Sequence, residues 1–223
     1  MSGIKLDLHV HSNYSSDGRL QIKDILRVAR KRGLGGIAVT DHNSLKGSQI
    51  AKRIAHEHEI LTVSGMEISS TEGHILAYGI DTPIPKGLSP EETIEKIHES
   101  GGLAVIARPY RPWSGLGEKI TRSLKPDGME VLNAHSTLKE NQKAGRLCRS
   151  MDLPMTAGSD SHEGRSLGKA CVIIPEASSQ DDVLEAILKR RVKVQGLSRS
   201  TGGAIKDRTD TVMQWMGRGF KKM

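Results

Sequence analysis

Two histidines, His9 and His11 in the stretch LDLHVHSNYSSDG, stand two residues apart. Side chains alternate between the faces of a strand, so both imidazoles project from the same face. A lone buried histidine is usually a hydrogen-bonded core residue, whereas a pair on one face points to a shared metal. The pattern returns in MTAGSDSHEG, where Asp160 and His162 are again two apart. Between them, Asp41-His42-Asn43 follows the apolar run GIAVT, Met66-Glu67 ends another run, and Gly73-His74 opens its return. Unrelated polar caps on strand ends could explain any one of these groups but explain four together poorly. Mixed imidazole and carboxylate donors suit Zn, Mn or Fe ions better than Ca²⁺, whose shells are all oxygen. The donors outnumber what one ion takes, so a cluster of two or three divalent ions is expected.

The elements that must carry these donors alternate in type. Apolar runs predict strands over 4–10, 36–40, 60–68, 74–80, 103–107, 129–132, 155–158, 170–174 and 192–194. Helical patterns fill 20–32, 45–57, 90–99, 138–151 and 181–189. Ser89 ahead of Pro90-Glu91-Glu92 and Ser179 ahead of Asp181-Asp182 read as helix N-caps. Gly33 and Gly101 follow helices, where a left-handed residue is wanted. Strand–helix alternation implies an α/β fold with a parallel sheet, and this many units in one chain suggest a barrel. One pair departs from that rule. EISSTEGHILA joins two strands by a few residues and predicts an antiparallel hairpin.

With 223 residues, 36% hydrophobic and 26% charged, the chain suits one domain with a sizeable core. No apolar stretch reaches the ~20 residues needed to span a bilayer, and no membrane partner is expected. MSGIKLDLHV enters a strand at once without a leader pattern, so a cytoplasmic location is expected, with Cys148 and Cys171 reduced. The net charge of +7 favours anionic partners. Residues 1–200 read as the barrel domain and 201–223 as a basic amphipathic tail. In the tail, Val212, Met213, Trp215, Met216 and Phe220 fall at roughly helical spacing and would pack on the body.

The order DLHVHSNYSSDG, TDHN, GMEI, GHILAYGID, ARPYRP, GMEVLNAHS, SDSH resembles the PHP (polymerase and histidinol phosphatase) phosphoesterases over residues 4–175. The resemblance implies an irregular (β/α)7-type barrel with a metal site at the C-terminal ends of its strands. One ion would be held by His9, His11, Glu67 and Asp160, and a second by Asp17, His42 and His162. Glu67 would bridge to a third ion bound by His74. The family's remaining third-ion ligand is a histidine directly before a proline, where this chain has Arg108-Pro109.

A guanidinium has no lone pair to give a metal and is always protonated. Two readings follow. Arg108 supplies the positive charge of a missing ion to a substrate phosphate, or the site is passing toward a binding role. Suitable residues at every other carried-over position favour the first. The implied reaction is phosphoester hydrolysis by a metal-bridging hydroxide attacking phosphorus in line. Arg108, and Arg111 or Arg165 in the loops, would bind the non-attacked oxygens, although solvated loop charge explains the latter two equally well. His135 is a candidate acid or nearby ligand, or a merely hydrogen-bonded residue. Tyr110 and Trp113 could stack a base or simply pack their loop. Together with the basic charge they direct the expectation toward nucleotides or short nucleic-acid ends. A histidinol-phosphate-like metabolite and a non-catalytic module binding nucleic acid or a protein are the alternatives.

Overall fold

A computed structural model describes residues 3–199. The tail assigned to 201–223 lies outside the described residues. Nine strands form one sheet: β1 (Ile4–Val10), β2 (Gly36–Val39), β3 (Leu61–Ser69), β4 (His74–Tyr78), β5 (Leu103–Ile106), β6 (Gly128–Asn133), β7 (Met155–Gly158), β8 (Ala170–Ile174) and β9 (Lys193–Gly196). Their spatial order is β7-β6-β5-β4-β3-β2-β1-β8-β9. Every strand expected from the apolar runs is present. The helices are α1 (Ile22–Lys31), α2 (Lys46–Ile54), α3 (Pro90–Glu99), α4 (Gly117–Ser123), α5 (Leu138–Ser150) and α6 (Gln180–Leu188).

Local chemistry accounts for most boundaries. Ser89 and Ser179 cap α3 and α6 as expected, and Thr137 caps α5, each in a reciprocal box with the acid three residues on. On α1, Ile22, Ile25, Leu26 and Ala29 fall on one buried face against the sheet. The seven-residue α4 follows a Pro- and Gly-rich loop and has no side-chain cap, so no pattern announced it.

The sheet curls into a nearly closed barrel, with β1, β2 and β3 parallel and β5, β6 and β7 parallel. The expected hairpin is present, and β4 runs antiparallel to both of its neighbours. Among the described residues the sheet has nine strands, as the apolar runs predict, where the (β/α)7-type barrel implied by the resemblance has seven. β8 lies antiparallel along the N-terminal half of β1, and β9 antiparallel along β8. No helix intervenes between β7 and β8, so that step lacks the crossover a parallel return requires.

Closure occurs on the C-terminal half of β1. Asp160 N donates to His9 O at 2.7 Å and His11 N to Ser161 O at 2.9 Å, stitching the segment after β7 to β1. The register of β1 against β2 shifts between Asp7 and Val10, and that of β6 against β7 between Glu130 and Leu132. Such irregularities re-aim side chains, and these two flank His9 and Glu130.

Gly158 sits at the seam, where an added Cβ would fall 2.2 Å from His9 Cβ. Gly158→Ala is therefore expected to destabilise by roughly 3 kcal/mol or more, because the clash meets a fixed backbone rather than a flexible side-chain tip. At about 2–4 °C per kcal/mol the melting temperature should fall by at least ~6 °C. Thermal unfolding followed by circular dichroism measures this, and a change under about 2 °C would refute the closed seam.

Candidate metal centre

The strand ends bring eight donor side chains to one mouth of the barrel. His9 and His11 come from β1 and its end, His42 from the turn after β2, Glu67 from β3 and His74 from β4. Asp160 and His162 follow β7, and Asp17 comes from the β1–α1 loop. Three groupings among the described residues are compact enough for single ions: His9, His11, Glu67 and Asp160; His11, Asp17, His42 and His162; and His42, Glu67 and His74. The first is wholly buried. In it His11 Nε2 lies 3.2 Å from both Glu67 Oε2 and Asp160 Oδ1. Yet His11 Nε2, Asp160 Oδ1 and His42 Nδ1 have no hydrogen-bond partner in acceptable geometry. Buried lone pairs that converge without bonding one another fit a cation between them. In the second grouping Asp17 Oδ2 is 3.1 Å from His162 Nε2 and 3.5 Å from His42 Nε2. The donor set is that of a divalent-metal site.

Arg108 enters the third grouping, that of His42, Glu67 and His74. Its side chain is 5% exposed. Nη2 donates to Glu67 Oε1 at 2.7 Å and to His74 Nδ1 at 2.9 Å, while Nη1 pairs with Asp160 Oδ2. His74 Nδ1 lies 2.9 Å from Arg108 Nη2, which only donates, and equally 2.9 Å from Glu67 Oε1, which only accepts, so the two contend for the same ring nitrogen. Burial, joined by the nearby Arg108 charge, lowers the His74 pKa. The place beside Glu67 and His74 is filled by the Arg108 guanidinium. Arg108 and Asp160 both hold left-handed backbones, φ 32° and 55°. Such strain, on the order of 1 kcal/mol per residue or more, persists where surrounding contacts over-determine it.

Residues 139–192 match the PHP-associated family model. The uncharacterised protein MJ1587 of Methanocaldococcus jannaschii is 43% identical over 143 residues, which cover 59% of this chain and 83% of that protein. The chain belongs to the PHP family. A 5′-3′ exoribonuclease of Haemophilus influenzae is 23% identical over 248 residues, 71% of this chain and 90% of that one. A two-domain protein from Bacteroides vulgatus containing a predicted PHP-like metal-dependent phosphoesterase shares the fold. Its TM-score is 0.72 at 21% identity, over 88% of this chain and 65% of that one.

The electrostatics of this PHP-family site follow from burial. Desolvation alone would raise the Glu67 and Asp160 carboxyls, but Arg108 and the surrounding histidines hold both well below their ordinary range. Burial would lower His9, yet Glu130, Asp160 and Glu67 outweigh it and hold its pKa high. His162 is raised in the same way, against burial, by Asp17 and Asp160. His11, facing His162, is lowered by burial and by that neighbour.

Three buried residues that sequence reasoning passed over support the donors. Glu130 Oε1 is 2.9 Å from His9 Nδ1, which leaves Nε2 aimed into the first grouping. Asn133 Nδ2 donates to Glu130 Oε2 at 3.1 Å. Asp7 accepts from the backbone N–H groups of Ser159, Gly168 and His9. The only sequence signal for these three was a polar residue inside a buried apolar run.

The remaining predicted residues divide. Arg111 Nη1 reaches Asp160 Oδ2 at 3.1 Å and lines the rim with 26% of its side chain exposed. His135 is half-buried, 5.9 Å from the His162 ring, with Nε2 3.0 Å from Ser166 Oγ. Tyr110 turns away: its hydroxyl donates to Glu118 at 2.7 Å and its ring lies under Lys143. Trp113 is 98% exposed, and Arg165 is exposed. These three are not drawn into the donor cluster. Among the described residues no helix is long and apolar enough to cross a membrane.

Burial pushes the Asp7 pKa up from 3.8 to about 6, against the opposing pull of its hydrogen bonds. The folded state therefore binds this proton more tightly than the unfolded chain. Stability from this group is full below pH 3.8 and lost as pH rises through about 6. The loss corresponds to roughly 3 kcal/mol. Urea midpoints from about pH 4 to 7 should show Asp7→Asn gaining on the wild type by about that amount. A wild-type-minus-variant difference that stays flat with pH would show that Asp7 titrates normally.

Proposed function

We propose that the chain is a dinuclear phosphoesterase that hydrolyses phosphate esters on nucleotides or short nucleic-acid ends, with Arg108 as a fixed cation in the third position. The carrying observation is the engagement of Arg108 Nη2 with both Glu67 Oε1 and His74 Nδ1. His9, His11, Glu67 and Asp160 would hold one divalent ion, and Asp17, His42 and His162 the second, of the Zn, Mn or Fe type. When bound, such ions lower the pKa of water toward ~7 and neutralise phosphoryl oxygens.

The chain's own residues supply the rest. Glu130 keeps the His9 Nδ1 proton, so Nε2 presents its lone pair. Arg108 and Arg111 place two permanently charged guanidiniums beside Asp160, one buried and one at the rim. A phosphate arriving there meets donors already oriented by carboxylates, which is the preorganisation that stabilises charge developing in a transition state. His135, its ring fixed by Ser166, stands at the rim to give a proton to the departing oxygen. The basic balance of the chain and the exposed Trp113 support a nucleotide-bearing substrate over a small amine phosphate.

The test is metal content by elemental analysis together with Mn²⁺-supported hydrolysis of a panel: mononucleotides, 3′,5′-bisphosphates, short oligonucleotides, sugar phosphates and histidinol phosphate. Two equivalents of metal and a preference for nucleotides are expected. Less than one equivalent with no hydrolysis would leave a binding module instead. His9→Ala should lower kcat/KM roughly a hundred-fold or more, since even residues that merely orient ligands cost about 10–100-fold. Arg108→Ala should keep two ions, raise KM and lower kcat by about 10²–10³ in the manner of a lost charge-stabilising donor. Arg108→His should take up a third ion. Unchanged stoichiometry in that variant would refute the replacement argument.

A further inference from the structure

A cavity of about 360 Å³ opens on the barrel flank between α4 and α5, apart from the donor cluster. Tyr110, Arg122, Lys143 and Arg146 line it, together with the exposed Glu118 and the buried Leu147. Its charges are unbalanced. Glu118 is taken by Arg122 (Nη2–Oε1 2.8 Å) and by the Tyr110 hydroxyl, whereas Lys143 and Arg146 extend from exposed positions one turn apart on α5. Lys143 Nζ stands 5.4 Å above the Tyr110 ring. Burial and the bond to Glu118 push the Tyr110 pKa up to about 12, so its hydroxyl stays neutral and the groove keeps its positive excess.

The same short loop serves both places. Arg111, adjacent to Tyr110, points to Asp160 in the donor cluster while Tyr110 points to the groove. Backbone bonds within the loop, Arg111 N to Arg108 O, Gly115 N to Arg111 O and Gly117 N to Pro109 O, hold that division in place. Trp113, two residues beyond Arg111 in the same loop, is 98% exposed on a left-handed backbone of φ 72°. A fully exposed indole offers its π-face to a base.

We propose that the α4–α5 groove binds the sugar–phosphate chain of a single-stranded nucleic acid whose terminal phosphate reaches the metal centre, with Trp113 stacking a base at the turn between them. The proposal rests on the phosphoesterase reading and extends it from nucleotides to oligonucleotides. Cations alone would equally attract an acidic polypeptide. The exposed aromatic face of Trp113, on a loop that reaches a phosphoesterase site, favours a nucleic acid, because every base can stack whereas a carboxylate chain cannot.

The test measures binding independently of turnover. The full-length, metal-loaded protein is titrated into a 3′-labelled phosphorothioate oligonucleotide of about 12 residues, which resists hydrolysis, and anisotropy is followed from about 50 to 300 mM salt. Lys143→Gln/Arg146→Gln should weaken binding roughly ten-fold at low salt. The same variant should flatten the log Kd–log salt slope by about 1.4, because each single-strand phosphate left without its cation removes ~0.7. Trp113→Ala should weaken binding roughly five-fold or more with the slope unchanged, as expected for loss of stacking. Lys23→Gln/Lys31→Gln removes the same charge from α1, and this variant should bind like the wild type. Equal losses in both double variants would reduce the effect to net charge and overturn the proposal. Displacement by poly-L-glutamate as effective as by the unlabelled oligonucleotide would also overturn it, assigning the groove to acidic polypeptides. If the phosphoesterase reading fails instead, the panel shows no hydrolysis while these binding differences persist.

Discussion

Glu67 and Asp160 are carboxylates with no solvent exposure, a few ångströms apart at the mouth of the barrel. Removing two such charges from water costs several kcal/mol each unless cations and hydrogen bonds replace the water. Arg108 answers part of that cost by reaching both with one planar fork. The fork fixes the spacing of Glu67 on β3 relative to Asp160 after β7, and so couples opposite sides of the barrel. The same demand explains why Arg108 and Asp160 tolerate left-handed backbones: relaxing either would uncouple a buried charge from its partner.

One guanidinium is not enough. Asp7, Asp41, Glu67, Glu130 and Asp160 are all buried, and the buried cation among the described residues is Arg108, with Arg111 at the rim. Histidines take up part of the deficit, as the raised His9 and His162 show. A protonated imidazole and a metal compete for one lone pair, so the arrangement that attracts protons without metal also attracts ions. Arg108 and an ion differ in what they then provide. Both stabilise phosphate charge, but a guanidinium cannot activate water, and it is present whatever the metal supply. In the dinuclear reading proposed above, a guanidinium in the third position would keep electrostatic assistance constant and leave nucleophile formation to the two sites built from imidazole and carboxylate.

How much of this was legible in the sequence depends on whether the signal was local. His9/His11 and Asp160/His162 were readable because strand alternation puts residues two apart on one face, and strand ends on one edge follow from the alternation of elements. The departure at Arg108 stood out once the neighbouring residues had a reference pattern. Glu130 was not readable. It sits within GMEVLN and acts on His9, 121 positions away, through a register that only the closed barrel sets. Asp7 was hidden likewise, since its partners Ser159 and Gly168 arrive from beyond β7. Tyr110 was read with its loop rather than against α4, and α4, short and uncapped, gave no warning of the Glu118 that captures its hydroxyl.

The loop from Arg108 to Gly117 therefore carries more constraint than its length suggests. At one end its backbone is tied to the core, where Arg108 N donates to Glu130 Oε2, the carboxylate that also orients His9. At the other, Gly117 N returns to Pro109 O and starts α4. A glycine is required at the return: Gly117 has φ 72°, and a Cβ on Gly115 would fall 2.5 Å from the Pro109 carbonyl oxygen and 2.6 Å from that of Arg108. With both ends fixed, the side chains are committed to opposite tasks, Arg108 and Arg111 to the buried carboxylates and Tyr110 to the flank. The charge demanded by Glu67 and Asp160 thus sets the conformation of a surface loop as well as the chemistry at the barrel mouth.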